Sequence, residues 1–287
     1  MKKNIYVIYH SEKHKDIREK REHKSNLEYF QQIYQNTYNI KFIKDTDTII
    51  PNLKNEIIVI GIQSRNFKFQ PDYNVNKIIS FDRERTDFGK LVTDKWFAYL
   101  FLKENNINTI PTSHLGFIKH EPITKSELPV IIKSRTGANG KDVYLINTPR
   151  EVYDCYKTIM VTNREEIIDY IKQPFIDTSL GSDIRILCIG DKIFSYERNN
   201  PNDFRSNIAL GASFKIKKLN EVQMEGTKKI IQLVQKKFPE YNHLIGIDIF
   251  NDDTFQVIEL NSNPGMHGPI NLFGDKFIQE LTKFFKL

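Results

Sequence analysis

Near the C-terminal end, Asp248 sits between Ile247 and Ile249, Glu259 between Ile258 and Leu260, and Asn261 two residues further on. Side chains alternate along a strand, so each acid points away from its apolar neighbours, and Glu259 and Asn261 share a face. Leu244–Phe250 and Phe255–Leu260 read as a hairpin around Asn251–Thr254. A two- or four-residue loop sets Asp248 opposite Val257 and makes Asp248 and Glu259 diagonal neighbours on one face, roughly 7–8 Å between backbones and closer between side-chain tips. A three-residue loop would put them on opposite faces. Two carboxylates and an amide oxygen on one face form a hard-oxygen site that suits Mg²⁺, with water and phosphate oxygens completing the octahedron. An exposed polar sheet face would carry the same residue types. The turn-rich Ser262-Asn263-Pro264-Gly265 that follows argues for a held site, because it would fix Asn261 beside Glu259.

Two further groups suit phosphate. Lys133 closes the apolar strand Pro129–Lys133, and Gly137 and Gly140 follow in Ser134-Arg135-Thr136-Gly137-Ala138-Asn139-Gly140-Lys141. Glycines let backbone N–H groups approach an anion closely. The spacing is not that of a P-loop, since no Gly-Lys-Ser/Thr opens a helix; an ordinary hairpin loop with an extended lysine is the plain alternative. Asp183 and Arg185 share a strand face in Gly181-Ser182-Asp183-Ile184-Arg185, and Asp203-Phe204-Arg205-Ser206-Asn207 lies downstream. The planar fork of an arginine matches two phosphate oxygens. A surface salt-bridge network is the alternative, weakened by the recurrence of phosphate-compatible groups in one chain.

These residues need elements to position them. Ile5–Tyr9, Ile40–Ile43, Ile57–Ile62 and Ile78–Phe81 are short β-branched or aromatic runs that suit parallel strands buried on both faces. Between the first two, Ser25–Asn36 carries Leu27, Phe30, Ile33 and Tyr34 at helical spacing. No glycine fingerprint follows the first strand, so no dinucleotide site is expected there. A helix is expected over Asp94–Lys103, with Thr93 or Asp94 as its N-cap. Val143–Ile146 reads as a strand and Asn163–Ile171 as a short amphipathic helix. Ile184–Ile189 and Lys192–Tyr196 flank Gly190-Asp191 as a hairpin, and Asn220–Phe238 reads as a long helix.

The chain has 287 residues, with 39% apolar, 27% charged and 12% aromatic, a globular composition with length enough for a sizeable core. No run approaches ~20 apolar residues, so no helical membrane span is expected, and the start, soon interrupted by His10–Lys15, does not read as a secretory signal. Two cysteines, Cys155 and Cys188, give no disulfide framework or metal cluster, and a cytoplasmic location is expected. The charge of +6 favours anionic partners weakly, and solvated helix surface accounts for it as readily. The basic stretch His10–Lys24 reads as solvated loop and helix start ahead of a site for an acidic peptide, and His267, in Met266-His267-Gly268, as a loop residue ahead of a contact to the acceptor or donor.

In this order, GSDIRILCIGDKI, NDFRSNIALGAS, GIDIF and VIELNSNPG resemble the ATP-grasp superfamily, and within it the RimK-type carboxylate–amine ligases. The resemblance runs from about Thr93 to the C-terminus. It implies an α/β (α+β ATP-grasp) fold: an N-terminal pre-ATP-grasp α/β domain over 1–90, a central subdomain with the glycine-rich loop over 91–172, and a C-terminal subdomain with the Mg²⁺ site over 173–287, the last two sandwiching ATP. By the same resemblance Lys95 and Lys133 match the phosphate-binding lysines. Gln173-Pro174-Phe175-Ile176 matches the hinge that holds the adenine edge, with Pro174 where the family usually has Glu. Asp183 matches the ribose-side acid, Arg205, Ser206 and Asn207 the segment facing the γ-phosphate, and Asp248, Glu259 and Asn261 the ligands of one or two Mg²⁺, with Mn²⁺ as a substitute. Arg205 and Lys133 are the implied catalytic cations.

The activity implied is ATP-dependent joining of a small-molecule or peptide carboxylate to an amine through an acyl phosphate, releasing ADP and phosphate. Neither a nucleic-acid nor a membrane partner is expected, and homo-oligomers are common in the resembling family. One alternative is a peptide-modifying enzyme that forms ester or amide crosslinks in a ribosomal precursor peptide. Another is a basic nucleic-acid-binding protein without catalysis, disfavoured because the cations singled out flank acids and glycines.

Overall fold

The computed structural model describes residues 4–9, 26–44, 57–59, 87–116, 123–137, 140, 142–162, 169–239, 244–261 and 265–285. The expected strand Ile78–Phe81, the end of Ile57–Ile62, the stretch His10–Lys24, loop residues Ala138, Asn139 and Lys141, and residues 262–264 lie outside these.

At the N-terminus β1 (Asn4–Tyr9) lies between β2 (Asn39–Lys44) and β3 (Ile57–Val59), parallel to both. Parallel neighbours need a crossover, and α1 (Asn26–Tyr34) lies on the one between β1 and β2. Then come α2 (Asp87–Leu91) and α3 (Lys95–Glu104). Asp94 is the N-cap of α3: its Oδ1 accepts from the N–H groups of Trp96 and Phe97 at 3.0 and 3.1 Å.

A four-stranded antiparallel sheet follows in the order β4-β7-β5-β6, with β4 Ser113–Gly116, β5 Val130–Ser134, β6 Val143–Ile146 and β7 Tyr170–Pro174. Val130, Ile132, Ile146 and Tyr170 pack against Cys155 and Ile159 of α4 (Pro149–Thr162). Where a helix is expected over Asn163–Ile171, the structure has a strand at its end. Residues 163–168 are not described, and Tyr170 and Ile171 belong to β7, which pairs with β4 and β5 on its two sides. Ladder hydrogen bonds on both edges outweigh a short helical periodicity. The helix lies earlier, and its start carries signals: Pro149 opens it, Glu151 N–H donates to Thr148 Oγ1 at 3.3 Å, and Asn147 N–H donates to Glu151 Oε2 at 2.7 Å.

The largest sheet is antiparallel, ordered β10-β9-β8-β11-β12, with β8 Ser182–Ile189, β9 Lys192–Asn199, β10 Ser213–Ile216, β11 Leu244–Phe250 and β12 Val257–Asn261. Its two faces have different tasks. Ile184, Ile186, Cys188, Ile245, Ile247 and Ile249 point to a core shared with α3 and α5 (Glu221–Lys237). On the other face Leu187, Ile189, Phe194 and Leu244 meet α1 and α6 (His267–Phe285), which bends at Gly274. His267 thus begins α6 rather than lying in a loop. Beyond the cover of α6 this second face turns polar.

Candidate functional site

The polar part of that face is set by register. Asp183 pairs with Arg198, Arg185 with Tyr196 and with Asp248, and Asp248 with Glu259. Directly opposed residues of antiparallel strands share a face. Asp248 and Glu259 therefore lie on one side of the sheet, as expected, but directly opposite rather than diagonal. The register of β11 and β12 shifts between Asp248 and Ile249, which pairs with Val257, so Ile258 is the extra residue of a bulge.

A cleft with an empty volume of about 1000 Å³ runs between the four- and five-stranded sheets. Lys95 at the start of α3 and Lys133 at the end of β5 line it. Gln173, Pro174, Phe175 and Ile176 form part of another wall. Asp183, Asp248 and Glu259 come from the sheet face, and Arg205, Ser206 and Asn207 from the segment after β9. Asn261 does not line the cleft, but its Nδ2 donates to Asp248 Oδ2 at 3.4 Å. The expected site residues thus line one cavity, except Asn261, which joins it through Asp248.

Lys133 is buried, and this desolvation lowers its pKa to about 8; Glu259 opposes the shift and Lys95 adds to it. Asp248 is 2% exposed. Burial alone would raise its pKa, but Arg185 and Arg198 outweigh that and hold it below the usual carboxylate range. Arg185 grips it with Nε and with Nη2 at 2.6 Å, and Arg198 Nη2 reaches it at 2.9 Å. Arg198 also forks onto Asp183, Nε donating to Oδ1 at 2.7 Å and Nη2 to Oδ2. Burial pushes Asp183 upward, against the pull of Arg198. Arg205 forks onto Asp203 at 3.0 and 2.6 Å and donates from Nη1 to the Gly140 carbonyl at 2.7 Å. Lys95 Nζ donates to the Gly137 carbonyl at 2.5 Å. Gln173 Nε2 donates to Thr112 Oγ1 at 2.8 Å, which fixes the side chain beside the cavity wall.

Among the described residues no three His, Cys, Asp or Glu are grouped to hold a metal ion. Two carboxylates and the amide of Asn261 are a hard but incomplete donor set. That fits a Mg²⁺ bound together with phosphate oxygens better than a cation caged by protein alone. Arg198 was not anticipated from sequence. Its signal was the hairpin: with Gly190-Asp191 at the turn, Asp183 must face Arg198 across β8 and β9.

Solved structures share this architecture. D-cycloserine synthetase superposes with a TM-score of 0.66 over 98% of this chain and 99% of that one, at 11% identity. D-alanine–D-alanine ligase from Bacillus anthracis, complexed with ATP, gives 0.64 over 99% and 96%, at 13% identity. At such identities the likeness is one of fold, and the fold is that of the ATP-grasp ligases. Residues 93–279 match the model of the RimK-like ATP-grasp domain, and the chain belongs to that family, one that uses ATP. A probable alpha-L-glutamate ligase of Haemophilus ducreyi is 29% identical over 208 residues, 69% of this chain and 63% of that protein. A second, from Hahella chejuensis, is 27% identical over 77% of this chain and 69% of its own length. The chain thus spans about two thirds of the length of these relatives. Among the described residues no helix is long and apolar enough to cross a membrane.

Proposed function

We propose that this protein is an ATP-dependent carboxylate–amine ligase working through an acyl phosphate. The observation that carries this is the convergence of Lys95, Lys133 and Arg205 with Asp248 and Glu259 around one cleft in an ATP-grasp fold. A carboxylate oxygen attacks the γ-phosphorus of ATP, the bond to the β-phosphate oxygen breaks, and ADP leaves. The amine lone pair then attacks the acyl carbon, the tetrahedral intermediate collapses with loss of phosphate, and the amine proton passes to phosphate or solvent. Both steps gather negative charge in a partly dry site, where fixed cations act with little reorganisation. Lys95 and Lys133 would hold the phosphate tail and Arg205 the charge developing on the transferred group. Gln173–Ile176 would present backbone to the adenine, and Asp183 would face the ribose side. Asp248, Glu259 and Asn261 would hold Mg²⁺, which supplies charge neutralisation on the phosphates when bound.

The names of the curated relatives make glutamate the first substrate to offer, as acid and as amine. Both cysteines are free and buried, which suits the cytoplasmic location included in this reading. The test is a screen of free amino acids and of peptides, precursor-like peptides included, scored by Mg²⁺-dependent release of ADP and phosphate. With a competent acid, hydroxylamine should divert the intermediate to a hydroxamate. ATP cleavage indifferent to acid and amine, with no hydroxamate formed, would overturn the reading.

A further inference from the structure

Lys95 and Lys133 reach the cleft from different elements, the N-terminus of α3 and the end of β5. Neighbouring ammonium groups repel, so these two elements need a tie if both lysines are to meet one anion. Arg135, two residues after Lys133, provides it. Its Nε donates to Asp94 Oδ1 at 2.7 Å and its Nη2 to Asp94 Oδ2 at 2.6 Å. Its Nη1 reaches Asp169 Oδ2 at 3.2 Å, and His114 Nε2 lies 3.4 Å from the same nitrogen. The backbone repeats the tie: Lys95 N–H donates to the Arg135 carbonyl at 3.0 Å, and Arg135 N–H to the Asp169 carbonyl at 2.8 Å.

The geometry is that of a clamp. Asp94 is the cap of α3 and immediately precedes Lys95, so whatever holds Asp94 holds the base of Lys95. A two-point guanidinium–carboxylate fork resists rotation as well as separation, which a single ammonium contact does not. Arg135 is not among the residues that line the cleft. We propose that Arg135 is a positioning residue, fixing the gap between Lys95 and Lys133 and thereby the affinity for a polyphosphate tail. This rests on the nucleotide reading given above and names the device that tunes it.

The test separates the phosphate tail from the nucleoside. Titration calorimetry would compare Mg²⁺·AMP-PNP with adenosine on the full chain. Arg135→Ala should weaken AMP-PNP binding about tenfold and leave adenosine binding unchanged. Arg135→Lys, which keeps the charge and loses the fork, should move in the same direction. Asp94→Asn, which keeps an oxygen for the Trp96 and Phe97 N–H groups, should give the same split. The double variant with Arg135→Ala should bind no more weakly than Arg135→Ala alone, because both remove one tie. Equal losses for both ligands would mean general loosening and overturn the proposal, as would unchanged AMP-PNP affinity in folded variants. A wild type that binds adenosine but gains nothing from the phosphates would remove the positioning role and leave nucleotide recognition standing. A wild type that binds neither would remove the nucleotide reading itself.

Discussion

Arg205 Nη1 donates to the carbonyl of Gly140 at 2.7 Å, joining the segment after β9 to the glycine-rich loop that follows β5. Gly140 has φ +69°, and a Cβ there would stand 2.8 Å from Asn207 Oδ1. The left-handed backbone favours glycine at the point where loop and arginine meet, and a Cβ would also make the end of the Asn207 side chain turn aside. Gly140→Ala should pay about 1–2 kcal/mol in the left-handed region alone and push the loop from Arg205. The expected outcome is a raised KM for ATP with an unfolding midpoint lowered by only a few degrees, at about 2–4 °C per kcal/mol for a chain of this size. Steady-state kinetics beside a thermal melt check it; an unchanged KM would show that the contact does not matter to nucleotide binding.

Asp248 and Glu259 face each other across β11 and β12, yet their surroundings differ. Asp248 is buried between Arg185 and Arg198, whereas Glu259 is half-buried at the cleft wall. Removing one partner of a buried ionic group leaves the others uncompensated, at a cost of about 3–5 kcal/mol. Asp248→Asn should therefore lose both turnover and stability. Glu259→Gln should lose Mg²⁺-dependent turnover with a stability change within about 1 kcal/mol. Denaturant unfolding and ADP release on the two variants check the contrast. Normal turnover in Glu259→Gln would refute its metal role.

The expected hairpins of the five-stranded sheet and the long helix α5 were legible because their signals are local. A Gly-Asp turn fixes register, and regular alternation sorts Ile184 and Ile186 from Asp183 and Arg185. The same register already held Arg198, since Asp183 and Arg198 are equidistant from the turn. What stayed hidden depends on partners distant in sequence. The bulge at Ile258 arises where β12 must pair with β11 while Val257 also bridges to Thr109, before β4. β7 has ladder partners on both edges, neither of them adjacent in sequence, and so reads as ambiguous alone. The tie from Arg135 to Asp94 spans 41 residues, and no spacing rule anticipates it.

Gly226 lies in α5 with the ring of Phe255 against it: a Cβ would fall 2.3 Å from Phe255 Cδ1. The ring belongs to the core shared by α3, α5 and the large sheet, so a methyl group at position 226 would make that packing shift. Helix propensity favours alanine over glycine by about 1 kcal/mol, but overpacking costs about 1–3 kcal/mol, so Gly226→Ala should destabilise. Combining it with Phe255→Leu should cost less than the sum of the two single changes. Chemical denaturation of the four proteins measures that coupling, and simple additivity would mean the ring does not oppose the methyl group.

Burial lowers the Lys133 pKa from the ordinary 10.5 to about 8. Below about 8 both folded and unfolded chains carry the proton, and the folded state bears the whole cost of a buried charge. As pH rises from about 8 towards 10.5 the folded state sheds its proton first, so this group's contribution to stability improves over that window. Nucleotide binding should run the other way. A phosphate tail favours the charged ammonium, so above about 8 the free protein must take up a proton to bind. The affinity for Mg²⁺·AMP-PNP should then fall by up to about tenfold per pH unit above that point. Lys133→Arg, whose guanidinium stays charged, should remove the fall in any variant that still binds. Calorimetry in two buffers of different ionisation enthalpy reads the proton uptake directly. Pairing by Glu259 strong enough to keep Lys133 charged would abolish both the uptake and the pH dependence, and that result would sink the prediction.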